Sequence, residues 1–205
     1  MLIQDTRAIV SGGASGLGLA VAELVVAAGG KVALFDVNDQ AGVDAVRKLG
    51  PAASFHKVDV TAERAVAEAV AAATTAMGGL NLAVSCAGVG WPKRMVGKEG
   101  TMPGDFFRKV IEINLVGTLL LCKEAAAVMQ RNTPNATGER GALVMTASVA
   151  AFDGQIGQVA YAASKGGVVG MTLPMARELA SSGIRVVTIA PGLFMTPMLA
   201  ALPEE

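Results

Sequence analysis

Tyr161 is the only tyrosine of the chain, and Lys165 follows it four places on. Four residues make about one helical turn, so on a helix the phenol and the ammonium share a face. A cation held there favours the phenolate and should draw the phenol down from its reference pKa of ~10. A phenol tuned toward neutrality can pass a proton to or from a carbinol oxygen. Ser148, thirteen residues before the tyrosine, follows the apolar run Ala142 to Ala147. A hydroxyl at the tip of a buried strand could hydrogen-bond the same oxygen. Together the three describe proton transfer at an alcohol or a ketone. The alternative is a surface phenol and a solvated lysine on an ordinary helix, because short patterns recur by chance.

A second group has the chemistry to hold phosphate. Gly12-Gly13-Ala14-Ser15-Gly16-Leu17-Gly18 follows the apolar run Arg7 to Ser11. It opens a helix predicted to reach about Ala28, ended by Gly29-Gly30. Lys31 to Asp36 reads as the next strand. Strand, glycine turn, helix and strand form the opening βαβ unit of a dinucleotide-binding fold. Gly12 permits the tight turn, and the lack of side chains lets a pyrophosphate approach the backbone. Ser15 to Gly18 then present the free N–H groups and positive dipole end of the helix. Asp36 ends the second strand eighteen residues after Gly18. There a carboxylate can accept hydrogen bonds from both ribose hydroxyls, and it would repel a 2′-phosphate. No Lys or Arg stands in the glycine loop or next to Asp36 in sequence, so NAD is favoured over NADP. The other reading of Asp36 is a loop acid or a cap for the helix starting near Asn38.

These groups need a scaffold, and the chain has the means to build one. Its 205 residues suit one domain, 1–205, and 52% of them are hydrophobic. Seventeen Lys and Arg balance seventeen Asp and Glu. With no net basic field, neither nucleic acid nor a membrane surface is an expected partner. No apolar run approaches the ~20 residues of a membrane span. No signal peptide is expected either, which makes the cytoplasm the expected compartment, or the mitochondrial matrix had a transit peptide been removed. Cys86 and Cys122 lack metal-ligand spacing and read as buried free thiols in a reducing compartment. No metal site is expected.

Further elements follow in alternation. Helices are predicted over 40–49, 62–77, 105–129 and from Tyr161 to about Ser182, with Pro174 kinking or breaking the last. Strands are predicted over 53–58, 80–85, 142–147 and 184–190. Near-continuous apolar strands separated by helices indicate a doubly wound parallel sheet in three α/β/α layers, a Rossmann fold. Polar connections span Trp91 to Gly104 and Arg131 to Arg140. His56, the one histidine, reads as a strand residue. Asn114 stands among Ile111, Ile113 and Leu115, and a buried amide needs partners.

The assembled set resembles the short-chain dehydrogenase/reductase family along essentially the entire chain. It is carried by Gly12-x-x-x-Gly16-x-Gly18, Asp59, Ala87-Gly88, Asn114, Ser148, Tyr161-x-x-x-Lys165 and Pro191-Gly192, in the family's order. The resemblance implies Tyr161 as general acid/base and Lys165 as its pKa-lowering partner and ligand of the nicotinamide ribose. It implies Ser148 as the group that orients the substrate oxygen, and Asn114 as the holder of a water that links Lys165 to solvent. Asp59 and Val60 would lie by the adenine. Cys86, Ala87, Gly88, Pro191, Gly192 and Thr196 would complete the cofactor site, with hydride chemistry supplied by NAD.

Within the family, the run from Tyr161 to Pro174 and Ile189-Ala-Pro-Gly-Leu-Phe-Met-Thr-Pro resemble members that oxidise 3-hydroxyacyl-CoA esters and hydroxysteroids. The implied substrate is an acyl-CoA or another secondary alcohol. Lys93, Arg94 and Lys98 could meet the phosphates of CoA, or could be a solvated loop. Steroid dehydrogenase, 3-oxoacyl carrier-protein reductase and a nucleotide-binding protein without turnover are the alternatives. Relatives of this kind are homotetramers, and the Ala-rich helices could pack against copies of themselves. Two departures stand out. Ser85-Cys86-Ala87-Gly88 replaces the family's frequent Asn-Asn-Ala-Gly. The chain stops at Glu205, where family members continue into a further helix and strand, so an exposed sheet edge is expected.

Overall fold

The computed structural model describes residues 2–98, 100–196 and 200. Pro197, which closes the second of the runs quoted above, lies outside them. Six strands form one all-parallel sheet: β1 (Arg7–Ser11), β2 (Lys31–Asp36), β3 (Ala53–Lys57), β4 (Leu82–Ser85), β7 (Gly141–Thr146) and β8 (Ile184–Ile189). Their order is β3-β2-β1-β4-β7-β8. Between β4 and β7 a two-stranded antiparallel ribbon, β5 (Val96–Gly97) with β6 (Gly100–Thr101), stands apart from the sheet. The connection 91–104 thus carries its own small structure, although its sequence reads only as a polar loop.

Strand side chains alternate between two faces, and both faces are apolar. Ala8, Val10, Val32 and Leu34 point to one side, against Ala22 and Val25 of α1 (Gly16–Ala27) and Ala45 of α2 (Asp39–Leu49). Ile9, Ala33, Phe35 and Leu143 point to the other. They meet Val66 and Val70 of α3 (Glu63–Met77), Leu121 of α5 (Gly117–Met129) and Val168 of α6 (Val159–Ala180). Each such fully buried Val, Leu or Phe contributes roughly 1.5–3 kcal/mol relative to exposure. Two apolar layers therefore fix the sheet between the helices, the three-layer Rossmann arrangement expected.

Strand order reverses between β1 and β4, where the crossovers leave in opposite directions. A crevice opens there at the carboxyl ends of the strands. At the far side β8 pairs only with β7 among the described residues, and Val187 and Ile189 are 43% and 48% exposed.

Two helices depart from the sequence expectation. The helix predicted over 105–129 is interrupted: α4 (Gly104–Ile111) passes through a π-helical turn, Glu112–Val116, before α5 begins. Such turns are rare and gather at functional positions. Conversely, α6 runs unbroken through Pro174. No strand or helix boundary follows from that proline, because the rest of α6 is held by packing on β8 and on α4.

Candidate active site

The glycine turn is built by close backbone approach. Gly12 has φ +63°, and a Cβ there would lie 2.8 Å from the backbone nitrogen of Ala87. A Cβ on Gly18 would lie 2.2 Å from the carbonyl oxygen of Gly12. Both positions require glycine, one for its left-handed backbone and both for space. Ser11 is buried under the turn, and its hydroxyl accepts from the Ala87 amide at 3.3 Å. The loops after β1 and β4 are thus tied together. Ser15 offers no side-chain cap to α1, and Ser15, Gly16, Leu17 and Gly18 line the crevice, so among the described residues no side chain caps the first-turn amides there. That is the donor set a pyrophosphate needs.

Asp36 is a brace as well as a terminus. Its Oδ2 accepts from the Ala14 amide at 3.2 Å and its Oδ1 from the Asn38 amide at 3.0 Å. It does not cap α2, because Asn38 does so by accepting from Ala41. Strand register sets Lys57 opposite Asp36, a neighbour the linear sequence hides. Its ammonium is engaged by Asp39 at 2.8 Å. Asp59 accepts from the amide and hydroxyl of Thr61, at 2.9 and 2.7 Å. These bonds hold its carboxyl below the usual carboxylate range.

Ser148, Tyr161 and Lys165 come together at the neighbouring strand ends. Ser148 follows β7, and its hydroxyl accepts from the Ala150 amide at 3.2 Å. The Val149 amide donates to the carbonyl of Pro191 at 3.0 Å, which joins this loop to the one after β8. Tyr161 and Lys165 lie in the first turns of α6, as the four-residue spacing requires. The Lys165 ammonium is 5.7 Å from the centre of the Tyr161 ring and donates to the carbonyl of Thr146 at 2.8 Å. Burial pushes Lys165 down from 10.5 to about 8, opposed by the nearby Cys86 thiol. Cys86 is half-buried, with its own pKa raised by burial, and Cys122 is fully buried with its pKa raised to about 11.

Asn114 is completely buried in the π-helical turn. Its Oδ1 accepts from the Val89 amide at 2.8 Å, and its Nδ2 donates to the Val89 carbonyl at 2.9 Å and to Ser164 Oγ at 3.0 Å. Both amide protons are engaged, so any water on this side chain would use the remaining lone pair of Oδ1. A Cβ on Gly88 would sit 3.1 Å from that oxygen and 3.7 Å from the Lys165 ammonium. Gly88 therefore leaves the gap in which the amide and the ammonium approach.

One crevice of about 800 Å³ collects these parts. Gly12, Ser15, Gly16, Leu17, Gly18, Asp36, Asp59, Val60, Cys86, Ala87, Gly88, Ser148, Tyr161, Lys165, Pro191, Gly192 and Thr196 all line it, and Asn114 stands behind the wall. The donors at the glycine turn, the acid at the end of β2 and the Ser148, Tyr161 and Lys165 side chains at the far end fit a dinucleotide laid across the strand ends. The sequence reading did not single out Thr146, Lys109, Trp91, Gln155 or Gln158, which also line it. Nor did it single out Ser11 or Ser164 behind them. Position within motifs was the available signal for Ser164, which precedes Lys165. The others carry no local pattern.

A model of the family described as short chain dehydrogenase matches residues 6–205. The human protein named 3-hydroxyacyl-CoA dehydrogenase type-2 is 48% identical over 205 residues, which are 99% of this chain and 78% of that protein. Its namesake from Drosophila melanogaster is also 48% identical, over 100% of this chain and 81% of its own length. The crystal structure of 3-hydroxyacyl-CoA dehydrogenase type-2 from Mycobacterium avium superposes with a TM-score of 0.90 at 43% identity. That match covers 98% of this chain and 80% of the other.

Proposed function

The chain belongs to the short-chain dehydrogenase family, and from that premise we propose that it oxidises a 3-hydroxyacyl-CoA, or a similar secondary alcohol, with NAD. The observation that carries this reading is the meeting of Ser148, Tyr161 and Lys165 in the same crevice as the glycine turn. The relatives' shared name supports the substrate class.

In this reading Ser148 donates its hydroxyl proton toward the substrate oxygen, which fixes the carbinol against the wall. Tyr161 takes the hydroxyl proton as the carbon–oxygen double bond forms. The buried Lys165 ammonium stabilises the phenolate by charge. Bound NAD would supply the hydride acceptor for the carbinol carbon. The amides of Gly16 to Gly18 would hold its pyrophosphate, and Asp36 would accept from the adenosine ribose and disfavour a 2′-phosphate. The acyl part has an apolar approach: Leu193 and Phe194 line the crevice, with Phe152 and Ile156 exposed nearby. Lys93, Arg94 and Lys98 belong to the 91–104 connection, which is pinned to the loop before α6 by the Lys93 amide on the Gly157 carbonyl at 2.8 Å. From there they can meet CoA phosphates. The exposed Val159 and Leu173 of α6 and Leu119 of α5 are the apolar positions through which a homotetramer would form.

The test is absorbance of NADH formed from 3-hydroxybutyryl-CoA. Turnover that needs Tyr161 and prefers NAD to NADP supports the reading. A folded protein that binds NAD yet turns over no secondary alcohol in a broad panel would overturn it.

A further inference from the structure

Ser164 has a hydroxyl with two partners and no exposure. It accepts from Asn114 Nδ2 at 3.0 Å and donates to the carbonyl of Tyr161 at 2.7 Å. Asn114 in turn holds both backbone groups of Val89, in the loop beside Gly88. A continuous chain therefore runs from the crevice loop after β4, through the π-helical turn, to the backbone of Tyr161. Nothing else among the described hydrogen bonds joins these three segments. The π-helical turn gives it purpose, since it sets Asn114 inward between the loop and α6.

We infer that Ser164 is a positioning residue, which sets Tyr161 and Lys165 in register with the crevice loop through Asn114. The inference rests on the dehydrogenase reading above. A serine is suited to the position because one small hydroxyl accepts and donates at once. Alanine would leave one Asn114 N–H buried without a partner and the amide free to tilt. Threonine keeps the hydroxyl while adding a methyl group to a filled site.

The experiment compares the parent, Ser164→Ala, Ser164→Thr, Asn114→Ala and the Ser164→Ala/Asn114→Ala double variant. Folding is checked by circular dichroism, and kcat, KM for NAD and the pH profile of kcat are measured. For Ser164→Ala we expect kcat to fall about tenfold, the size expected when a catalytic group is slightly misplaced, with the pH profile of kcat displaced and KM for NAD within about twofold. Ser164→Thr should recover most of the rate even if its melting temperature stays low. The double variant should be no slower than Asn114→Ala, because both losses break one chain. In the protein without cofactor, hydrogen exchange at the Val89 amide should speed up in Ser164→Ala. An unchanged rate and pH profile in folded Ser164→Ala would overturn the inference, as would equal losses in Ala and Thr or additive losses in the double variant. Should Ser164→Ala fail to fold, Ser164→Thr and the Val89 exchange still decide: a rate near the parent's supports the inference, and a tenfold loss with Val89 still protected overturns it. Absence of turnover in the parent would instead defeat the dehydrogenase reading itself.

Discussion

Each end of the sheet carries a cavity, about 800 Å³ at the carboxyl ends of the strands and about 580 Å³ at the amino ends. Both are lined by polar side chains, yet those side chains are used differently. At the amino end Asn81 accepts from the Arg7 amide at 2.8 Å and donates to the Asp5 carbonyl at 2.9 Å. Asn132 donates to the carbonyls of Leu80 and Arg140, and the Arg140 guanidinium donates to the carbonyls of Asn132 and Ser182. Side chains there close the loops by serving backbone groups. At the carboxyl end the Tyr161 hydroxyl has no protein partner among the described residues, the Ser148 hydroxyl only accepts, and the first-turn amides of α1 are uncapped. Tyr161 and Ser148 thus keep hydrogen-bonding capacity of the kind that Asn81, Asn132 and Arg140 spend on backbone groups.

The largest effect that could break this contrast is on turnover. Tyr161→Phe removes the free hydroxyl and should lower kcat about a thousandfold, within the usual range for losing a general acid/base. NAD affinity by calorimetry should stay within about twofold, since the amides and Asp36 remain. Residual activity near the parent's would show that the unpartnered phenol is not the proton carrier. At the amino end the consequence should fall on stability instead. Asn132→Ala strands two carbonyls and should cost about 2 kcal/mol, a drop of roughly 4–8 °C in melting temperature for a chain of this size. Its kcat should be unchanged. A loss of rate without loss of stability would erase the distinction between the two cavities.

A charge buried at the carboxyl end sharpens the contrast through pH. Lys165 falls from 10.5 to about 8 on folding. Between those values the unfolded chain binds the proton more tightly than the folded one, so stability gained through this group rises with pH. Below about 8 the buried charge weighs on the fold in full, and above 10.5 the burden is gone. Denaturant unfolding of the cofactor-free protein should show a stability difference between parent and Lys165→Met that moves in the parent's favour by up to about 1.4 kcal/mol per pH unit inside that window. A flat difference would mean that the ammonium is solvated or paired in solution.

The strands were legible because both faces of the sheet are apolar: Arg7–Ser11 and Lys31–Asp36 follow directly from composition and flanking glycines. The geometry of the candidate site was legible where motif spacing matches local structure, as in Tyr161 and Lys165 one turn apart. What was not legible depends on register between segments. The π-helical turn at Glu112–Val116 has the same side-chain pattern as α-helix, and only the bonds of Asn114 to Val89 and Ser164 account for it. Pro174 misled in the opposite direction, because packing of α6 on β8 outweighs one lost backbone bond. Lys57 beside Asp36 and the Thr146 carbonyl beneath Lys165 are made neighbours by strand pairing and by crossover, which one-dimensional spacing does not encode.

Asp36 belongs to both classes at once, and so it gives the finest test. It serves backbone groups, the amides of Ala14 and Asn38, as the amino-end side chains do. It also lines the crevice, as Ser148 and Tyr161 do. Two substitutions separate the roles. Asp36→Asn keeps one carbonyl oxygen for the Ala14 amide, gives up the bond to the exposed Asn38 amide, and removes the charge that repels a 2′-phosphate, so the preference for NAD over NADP in kcat/KM should narrow about tenfold, with a smaller loss of melting temperature than in Asp36→Ala. Asp36→Ala should narrow the preference equally and also destabilise the protein, by roughly 1 kcal/mol for the freed Ala14 amide. If the preference survives in Asp36→Asn and is lost only in Asp36→Ala, the loop geometry and not the charge selects the nucleotide, and Asp36 moves wholly to the structural class.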